Sequence, residues 1–223
     1  MNIRTQYDKI GEKYIEGQRK FFASRRDEAR EFIRKNLGNL TGKRVLDIGC
    51  GGGADILTYE KLKADVYGID PSRFMVNAAR KVVSQPNKIK IGSAEKIPFN
   101  KSFFDVATAR FSLHHVTKLD KEYKEIFRVL KPKGLLLTVV DHPIRDLLLQ
   151  KNKVYGKQEV VHLELYVNAV RLHFPSHTLS DYFSKTFFEL FTLNSVYEDE
   201  SKKIVAKLSV MSSTMLGFKA TKK

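Results

Sequence analysis

Apolar and polar positions follow two different periodicities along this chain. Short apolar runs rich in β-branched residues predict strands, and the longer stretches between them carry apolar residues at helical spacing. Five such runs lie at 44–49, 65–70, 88–93, 104–111 and 134–141, and two more, at 190–198 and 214–222, follow near the end. The alternation of strands and helices is typical of an α/β fold built on a parallel sheet.

Two of the connecting helices have clear signals. Ser72 can cap the first turn of a helix that continues through Phe74, Val76 and Ala79. A second stripe, within 119–130, repeats apolar residues with a period close to that of an α-helix. Both predicted helices lie between strands, as the crossover connections of a parallel sheet do.

Two segments lie outside this alternation. Residues 5–37 predict an amphipathic helix preceded by a less regular arm, which can cover one mouth of the sheet. Residues 142–188 have irregular patterning, although Thr178 and Asp181 resemble a capping box, and we expect this insert to form a substrate lid. We expect a single domain over 1–223, divided into a helical arm (1–40), a cofactor-binding core (41–141), the lid insert (142–188) and the last two strands (189–223).

Length and composition narrow the class of protein. The 223 residues suffice for one α/β domain, and no apolar run approaches the roughly 18 residues that a membrane span needs. The first residues lack the apolar core of a secretory signal. The single cysteine, Cys50, excludes an intrachain disulfide or a multi-cysteine metal site and fits a reducing compartment. We therefore expect a cytoplasmic protein with no membrane span and no metal site.

The net charge of +15 raises the question of a nucleic-acid partner, because Lys and Arg attract phosphate backbones. The basic excess is spread along the chain, and no tail or helix concentrates it. This distribution is typical of a solvated, Lys-rich surface. An RNA partner stays open as an alternative.

A glycine-rich loop, residues 47–53, follows the first predicted strand and has the pattern D-x-G-x-G-x-G. Glycines let the chain turn tightly and let its backbone approach a ligand that a Cβ would block. The loop alone also fits a dinucleotide-binding pattern through Gly49, Gly51 and Ala54, so a dehydrogenase is the rival interpretation. Asp70, at the end of the second strand, can accept hydrogen bonds from a ribose in either case.

Motifs further along the chain resemble those of one family. VLDIGCGGG, YGIDPS, IGSAEKIPF, FDVATARFSLHHV and RVLKPKG resemble, in order and spacing, the motifs of class I methyltransferases, in particular the branch of ubiquinone and sterol methyltransferases. The resemblance covers residues 5–141. It implies a Rossmann-like, doubly wound, seven-stranded and mostly parallel sheet with helices on both faces and the last strand antiparallel. It also implies S-adenosylmethionine as cofactor and S-adenosylhomocysteine as product.

The resemblance also implies site residues. The backbone of Gly49 and Gly51 would face the methionine part, whose amino group Asp47 would support, and Asp70 would bind the ribose. Ser93, Ala94 and Glu95 would edge the adenine, the backbone of Arg110 and Phe111 would reach the methionine ammonium, and an N-terminal arm with Tyr7 and Tyr14 would fold over the cofactor. The full set of expected cofactor-binding residues is Tyr14, Asp47, Gly49, Cys50, Gly51, Asp70, Pro71, Ser93, Ala94, Glu95, Arg110 and Phe111.

This chain departs from the family pattern at two positions. Gly11 replaces the usual alanine in the arm, which loosens a helix there. Lys133 replaces the first glycine before strand five, where a type II turn would need a positive φ and a type I turn would not.

Methyl transfer from a sulfonium depends mainly on alignment and desolvation, so no single catalytic residue is obligatory. Where the acceptor must lose a proton, a histidine has a suitable pKa. His115, after strand four, and His142, after strand five, are the candidate bases. We expect a small-molecule acceptor, with an RNA methyltransferase or a non-catalytic cofactor-binding protein as the alternatives.

Overall fold

A seven-stranded sheet forms the centre of the computed structural model, which describes residues 3–166, 170–199 and 215–223. The strands of this sheet are β1 (Arg44–Ile48), β2 (Asp65–Asp70), β3 (Ile89–Ile91), β4 (Phe104–Arg110), β5 (Leu130–Asp141), β8 (Phe191–Glu198) and β9 (Met215–Lys222). They lie in the order β3-β2-β1-β4-β5-β9-β8. β1 to β5 pair in parallel, and β9 pairs antiparallel with both β5 and β8. The predicted mostly parallel sheet with an antiparallel last strand is confirmed.

Some strand boundaries differ from the predicted ones. β3 is shorter than predicted because Pro86–Lys88 form a 3-10 turn before it. β5 begins earlier, at Leu130, and includes Lys133 with φ 60°, so this lysine has the left-handed backbone that a type I turn would have avoided. Position 214, the first of the last predicted strand, lies outside the described residues.

Helices connect the strands and cover both faces of the sheet. They are α1 (Ile3–Phe22), α2 (Glu28–Asn36), α3 (Ala54–Lys61), α4 (Arg73–Arg80), α5 (Asp120–Val129), α6 (Pro143–Leu149), α7 (Leu179–Tyr182) and α8 (Lys185–Leu190). Ser72 caps α4 as predicted, because its hydroxyl accepts from the N–H of Met75 at 3.2 Å. α5 matches the apolar stripe predicted within 119–130.

Consecutive residues of the central strands point to opposite faces, and each face has its own core. Leu46 and Leu136 pack on the face that α5 and α8 cover. Val45 and Leu137, their sequence neighbours, pack on the face that α2, α3 and α4 cover. The near-continuous apolar runs of the sequence therefore correspond to strands that are buried on both faces of the sheet.

The N-terminal segment differs from its prediction. The expected irregular arm is helical from Ile3 onward as α1, and a separate helix, α2, carries the apolar stripe of residues 29–37. Gly11 does not interrupt α1: a Cβ there would lie 2.2 Å from the ring of Phe74, so the glycine lets α1 approach α4 closely. The substitution for alanine therefore serves packing.

The insert is also more regular than predicted. It contains α6, a two-stranded antiparallel hairpin of β6 (Val160–Leu165) and β7 (Val170–Pro175), then α7 and α8. The Thr178 capping box is present. The hairpin forms a third apolar cluster with one face of α1, so arm and hairpin make a single cap. The turn of the hairpin, residues 167–169, lies outside the described residues.

Candidate functional site

The loop after β1 turns sharply at glycines with left-handed backbones. Gly49 has φ 72°, and a Cβ there would lie 2.4 Å from the Cβ of Ser112. Gly51 has φ 51° and open space where a Cβ would project. The loop therefore brings bare backbone to the carboxyl end of β1, as the sequence predicts.

Asp70 fixes this loop from the neighbouring strand. One carboxylate oxygen accepts from the N–H of Gly51 at 2.9 Å, and the other accepts from the N–H of Ser72 at 2.9 Å. The side chain is largely buried, and burial raises its pKa to about 6. Its remaining lone pairs face a cavity, where a sugar hydroxyl could donate to them.

This cavity, of about 680 Å³, opens over the carboxyl ends of four neighbouring strands. Its size lies within the range of roughly 300 to 1,000 Å³ typical of ligand pockets. Of the residues predicted to bind cofactor, those in its wall are Tyr14, Gly49, Cys50, Gly51, Asp70, Pro71, Ser93, Ala94, Glu95, Arg110 and Phe111. The loop glycines and the Asp70 carboxylate suit a nucleoside joined to an amino acid.

The cap closes one side of the cavity with aromatic rings. Tyr7 and Tyr14 project from the same face of α1, with ring centroids 5.3 Å apart in an edge-on contact, and Tyr14 also contacts Tyr166 of the hairpin. Asp8, between them in the motif, accepts from the hydroxyl of Ser72 at 2.6 Å. The arm is thereby fastened to the start of α4, next to Asp70.

A buried ion network lies behind the opposite wall. Arg110 donates to Asp55 at 2.6 Å and lies 3.5 Å from Asp27, and Arg30 bonds the other oxygen of Asp55 at 2.6 Å. The sequence motif predicts a role only for the backbone of Arg110, because the members of the side-chain network are distant from one another in sequence. Phe111 follows with φ 52°, an uncommon state for a bulky residue that concentrates at functional sites.

Two predicted site residues lie outside the cavity wall. Asp47 is buried beneath the loop and accepts from the hydroxyl of Thr108 at 3.0 Å; burial raises its pKa to about 7. His142 caps α6, accepting from the N–H of Ile144, and its other ring nitrogen lies 2.5 Å from Glu198. Both ring nitrogens of His142 therefore have partners in the structure, and its assignment as a base stays a prediction.

His115 lies in the cavity wall. Its Nε2 is 3.0 Å from the hydroxyl of Tyr7, and its Nδ1 has no partner among the described residues. Burial, and then the neighbouring His114, lower the pKa of His115 well below the usual value. The imidazole is therefore neutral near pH 7.

The fold and the site together define a class. The glycine loop, the carboxylate at the end of β2, the polar rim after β3 and the antiparallel last strand are those of the class I, Rossmann-like methyltransferases, whose cofactor is S-adenosylmethionine. Residues 46–138 match the family described as a methyltransferase domain. Over residues 46–138 the chain is thus similar to the domains of class I S-adenosylmethionine-dependent methyltransferases.

Individual relatives agree with this assignment. The chain is 32% identical, over 71% of its length and 59% of the relative's, to the methyltransferase YcgJ of Bacillus subtilis. It is 34% identical, over 55% of its length and 52% of the relative's, to a demethylmenaquinone methyltransferase of Lactococcus lactis. A methyltransferase structure from Listeria monocytogenes shares the fold, with a TM-score of 0.68 and 23% identity over 87% of this chain and 98% of that one. The sequence matches span little more than half of these curated relatives.

No helix among residues 3–166, 170–199 and 215–223 combines the length and apolar character needed to cross a membrane.

Proposed function

We propose that this chain transfers a methyl group from S-adenosylmethionine to a small-molecule acceptor. The observation that carries the proposal is the cavity over the glycine loop, walled by Asp70 on one side and by the tyrosines of α1 on the other. When bound, the cofactor supplies an activated methyl group. The protein's contribution is to hold the nucleoside, align the acceptor and exclude water.

Each wall has a proposed task. Asp70 accepts from the ribose hydroxyls, Ser93, Ala94 and Glu95 edge the adenine, and the backbone near Gly49 and Phe111 faces the methionine part. Asp47 acts from below the loop, where its carboxylate accepts from Thr108 on the neighbouring strand β4. The cap covers the reacting atoms once both molecules are bound.

His115 is the proposed base for an acceptor that must lose a proton. The hydroxyl of Tyr7, hydrogen-bonded to His115, lines the same cavity, so it can take the acceptor's proton while passing its own to the imidazole.

A cytoplasmic location, expected from the single cysteine and the composition, stays a prediction.

Calorimetry and a transfer assay test the proposal together. S-adenosylmethionine and S-adenosylhomocysteine should bind the purified protein, and NADH should not. With methyl-labelled S-adenosylmethionine and a cell extract, label should appear in the small-molecule fraction. NADH binding without S-adenosylmethionine binding would contradict the cofactor assignment, label in RNA would favour the RNA alternative, and tight cofactor binding without any transfer would favour a non-catalytic protein.

A further inference from the structure

A second, smaller cavity lies beside the first, under the cap. Its volume is about 100 Å³, and its walls come from α1, the β6–β7 hairpin and the ends of β4 and β5. The two cavities share part of their walls, formed by Tyr7, Tyr14, Gln18, Arg110 and Phe111. A molecule in the second cavity therefore lies against the groups that surround the cofactor site.

The second cavity is lined mainly by flat and branched apolar side chains. Phe21 and Phe22 come from α1, and Leu163 and Leu172 come from the buried face of the hairpin. A dry apolar cavity of roughly 150 Å³ is known to accept a benzene ring. At about 100 Å³ the cavity here is smaller, so its walls suit a chain fragment or a single ring that extends to the wall shared with the first cavity.

The floor of this cavity carries a buried arginine. Arg145, 6% exposed, lies one helical turn beyond Asp141 and donates from Nη1 to its carboxylate. No other hydrogen bond joins its guanidinium to any of the described residues. A guanidinium has five N–H donors in a planar fork, so several donors remain for a ligand. Because Arg145 lines the cavity, these donors are available to a ligand that supplies an acceptor.

The charges around Arg145 determine which polar group a ligand in the second cavity can carry. Asp141 balances Arg145. Burial, followed by the neighbouring Asp141, raises the pKa of Asp146 to about 8, and burial lowers the pKa of His114 to about 3, so both are mainly neutral at pH 7. Arg110, the other cation in the wall, is balanced by Asp55 behind it. Asp141 also lines the cavity, but Arg145 already binds its carboxylate, so an oxygen acceptor can approach the remaining donors of Arg145.

We propose that the second cavity holds the flat, apolar part of the methyl acceptor and that Arg145 donates hydrogen bonds to a carbonyl or carboxylate oxygen on it. The planar fork of arginine matches such oxygens. The identity of this molecule as the acceptor rests on the proposed function, and binding in the cavity does not. The atom to be methylated would lie at the wall that the two cavities share.

Four small probes test the binding site directly. Each probe has a single aromatic ring. Benzoate carries a carboxylate, acetophenone a carbonyl, benzylamine an ammonium group and toluene no polar group. Titrations followed by protein NMR, with and without S-adenosylhomocysteine, should show benzoate or acetophenone bound at least tenfold more tightly than benzylamine and toluene. Equal affinity of all four, or no binding of either oxygen-bearing probe, would overturn the proposal.

Two variants locate the site, with one matched control. Arg145→Met should weaken the oxygen-bearing probe at least tenfold and leave the affinity for S-adenosylhomocysteine unchanged. Leu172→Phe fills the cavity without removing a charge and should have the same effect. It keeps the test informative if Arg145→Met unfolds the protein. Arg171→Met, on the exposed side of the hairpin, should change neither affinity. If the probe still binds to both Arg145→Met and Leu172→Phe, the proposal is overturned. If the unaltered protein does not bind S-adenosylhomocysteine, only the cofactor assignment is contradicted.

Discussion

Asp70 joins two tasks in one carboxylate, because it fixes the backbone of Gly51 and also faces the cavity. Asp70→Ala should weaken binding of S-adenosylhomocysteine by about 1.5 to 3 kcal/mol, the range for a lost hydrogen bond to a charged group. Calorimetry measures this change. Asp105→Ala, which removes a carboxylate on β4 that bonds Lys131, is the matched control and should leave the affinity unchanged. Unchanged affinity in a folded Asp70→Ala variant would show that the ribose is held elsewhere.

The protonation of Asp70 predicts a pH dependence. Because its pKa is raised to about 6 by burial, the carboxylate gains a proton as the pH falls through 6 and loses strength as an acceptor. Affinity for S-adenosylhomocysteine should therefore decrease from pH 7.5 to pH 5, and the decrease should vanish in Asp70→Asn. For folding the sign is opposite: this group's contribution to stability is largest below its unfolded pKa of about 3.9 and is lost as the pH rises through 6. An affinity that is flat over this range would rule out an ionised Asp70 as the main ribose acceptor.

Sequence reasoning succeeded at residues whose role is local. Gly49, Gly51 and Asp70 occupy fixed positions around one strand-to-helix turn, so their spacing predicts their placement. It could not assign Arg145, because its place in a cavity wall depends on how distant segments pack. His142 shows the same limit: its position after a strand is compatible with a base, and only its contacts with Ile144 and Glu198 reveal a cap.

At the scale of elements, α1 and the hairpin depend on one close contact. A Cβ at Gly17 would lie 2.6 Å from the ring of Tyr166 and 3.0 Å from its Cβ, so the ring cannot simply rotate away. Helix propensity alone predicts that Gly17→Ala stabilises α1 by about 0.5 to 1 kcal/mol. We expect the reverse, a thermal midpoint several degrees lower and weaker binding of S-adenosylhomocysteine, because the hairpin must shift.

Glu12→Ala, on an exposed position of the same helix, is the control for this experiment and should keep both values. A higher thermal midpoint for Gly17→Ala would mean that the hairpin does not pack against α1 in solution.

The central elements were predictable and the covering ones were not. Strands β1, β2, β4 and β5 bury both faces, so their apolar runs stand out. The β6–β7 hairpin buries one face only, and its pattern is obscured by the surrounding short helices. α1 has no acidic residue in its first turn, and it packs against Phe74 and the hairpin, which are distant in sequence.

For the molecule as a whole, the sheet and the cap should respond differently to cofactor. The sheet strands are held by long backbone ladders, whereas the cap is held by side-chain contacts of α1 with the hairpin. In hydrogen exchange, S-adenosylhomocysteine should raise protection mainly in residues 5–20 and in the insert, with little change in β1, β4 and β5. Equal protection of the cap with and without ligand would mean that the cap does not open.

The position of Cys50 has a practical consequence for labelling chemistry. Cys50, the only cysteine of the chain, lies in the wall of the cofactor cavity, and its thiol packs in the core close to Gly68, where burial raises its pKa well above the usual value. Alkylation by iodoacetamide should therefore be slow, should modify one site per chain, and should become slower still when S-adenosylhomocysteine covers the loop. The unaltered protein thus carries its own chemical reporter of occupancy, and the rate of adduct formation in a mass spectrum can be converted into a cofactor affinity without any dye, tag or added mutation.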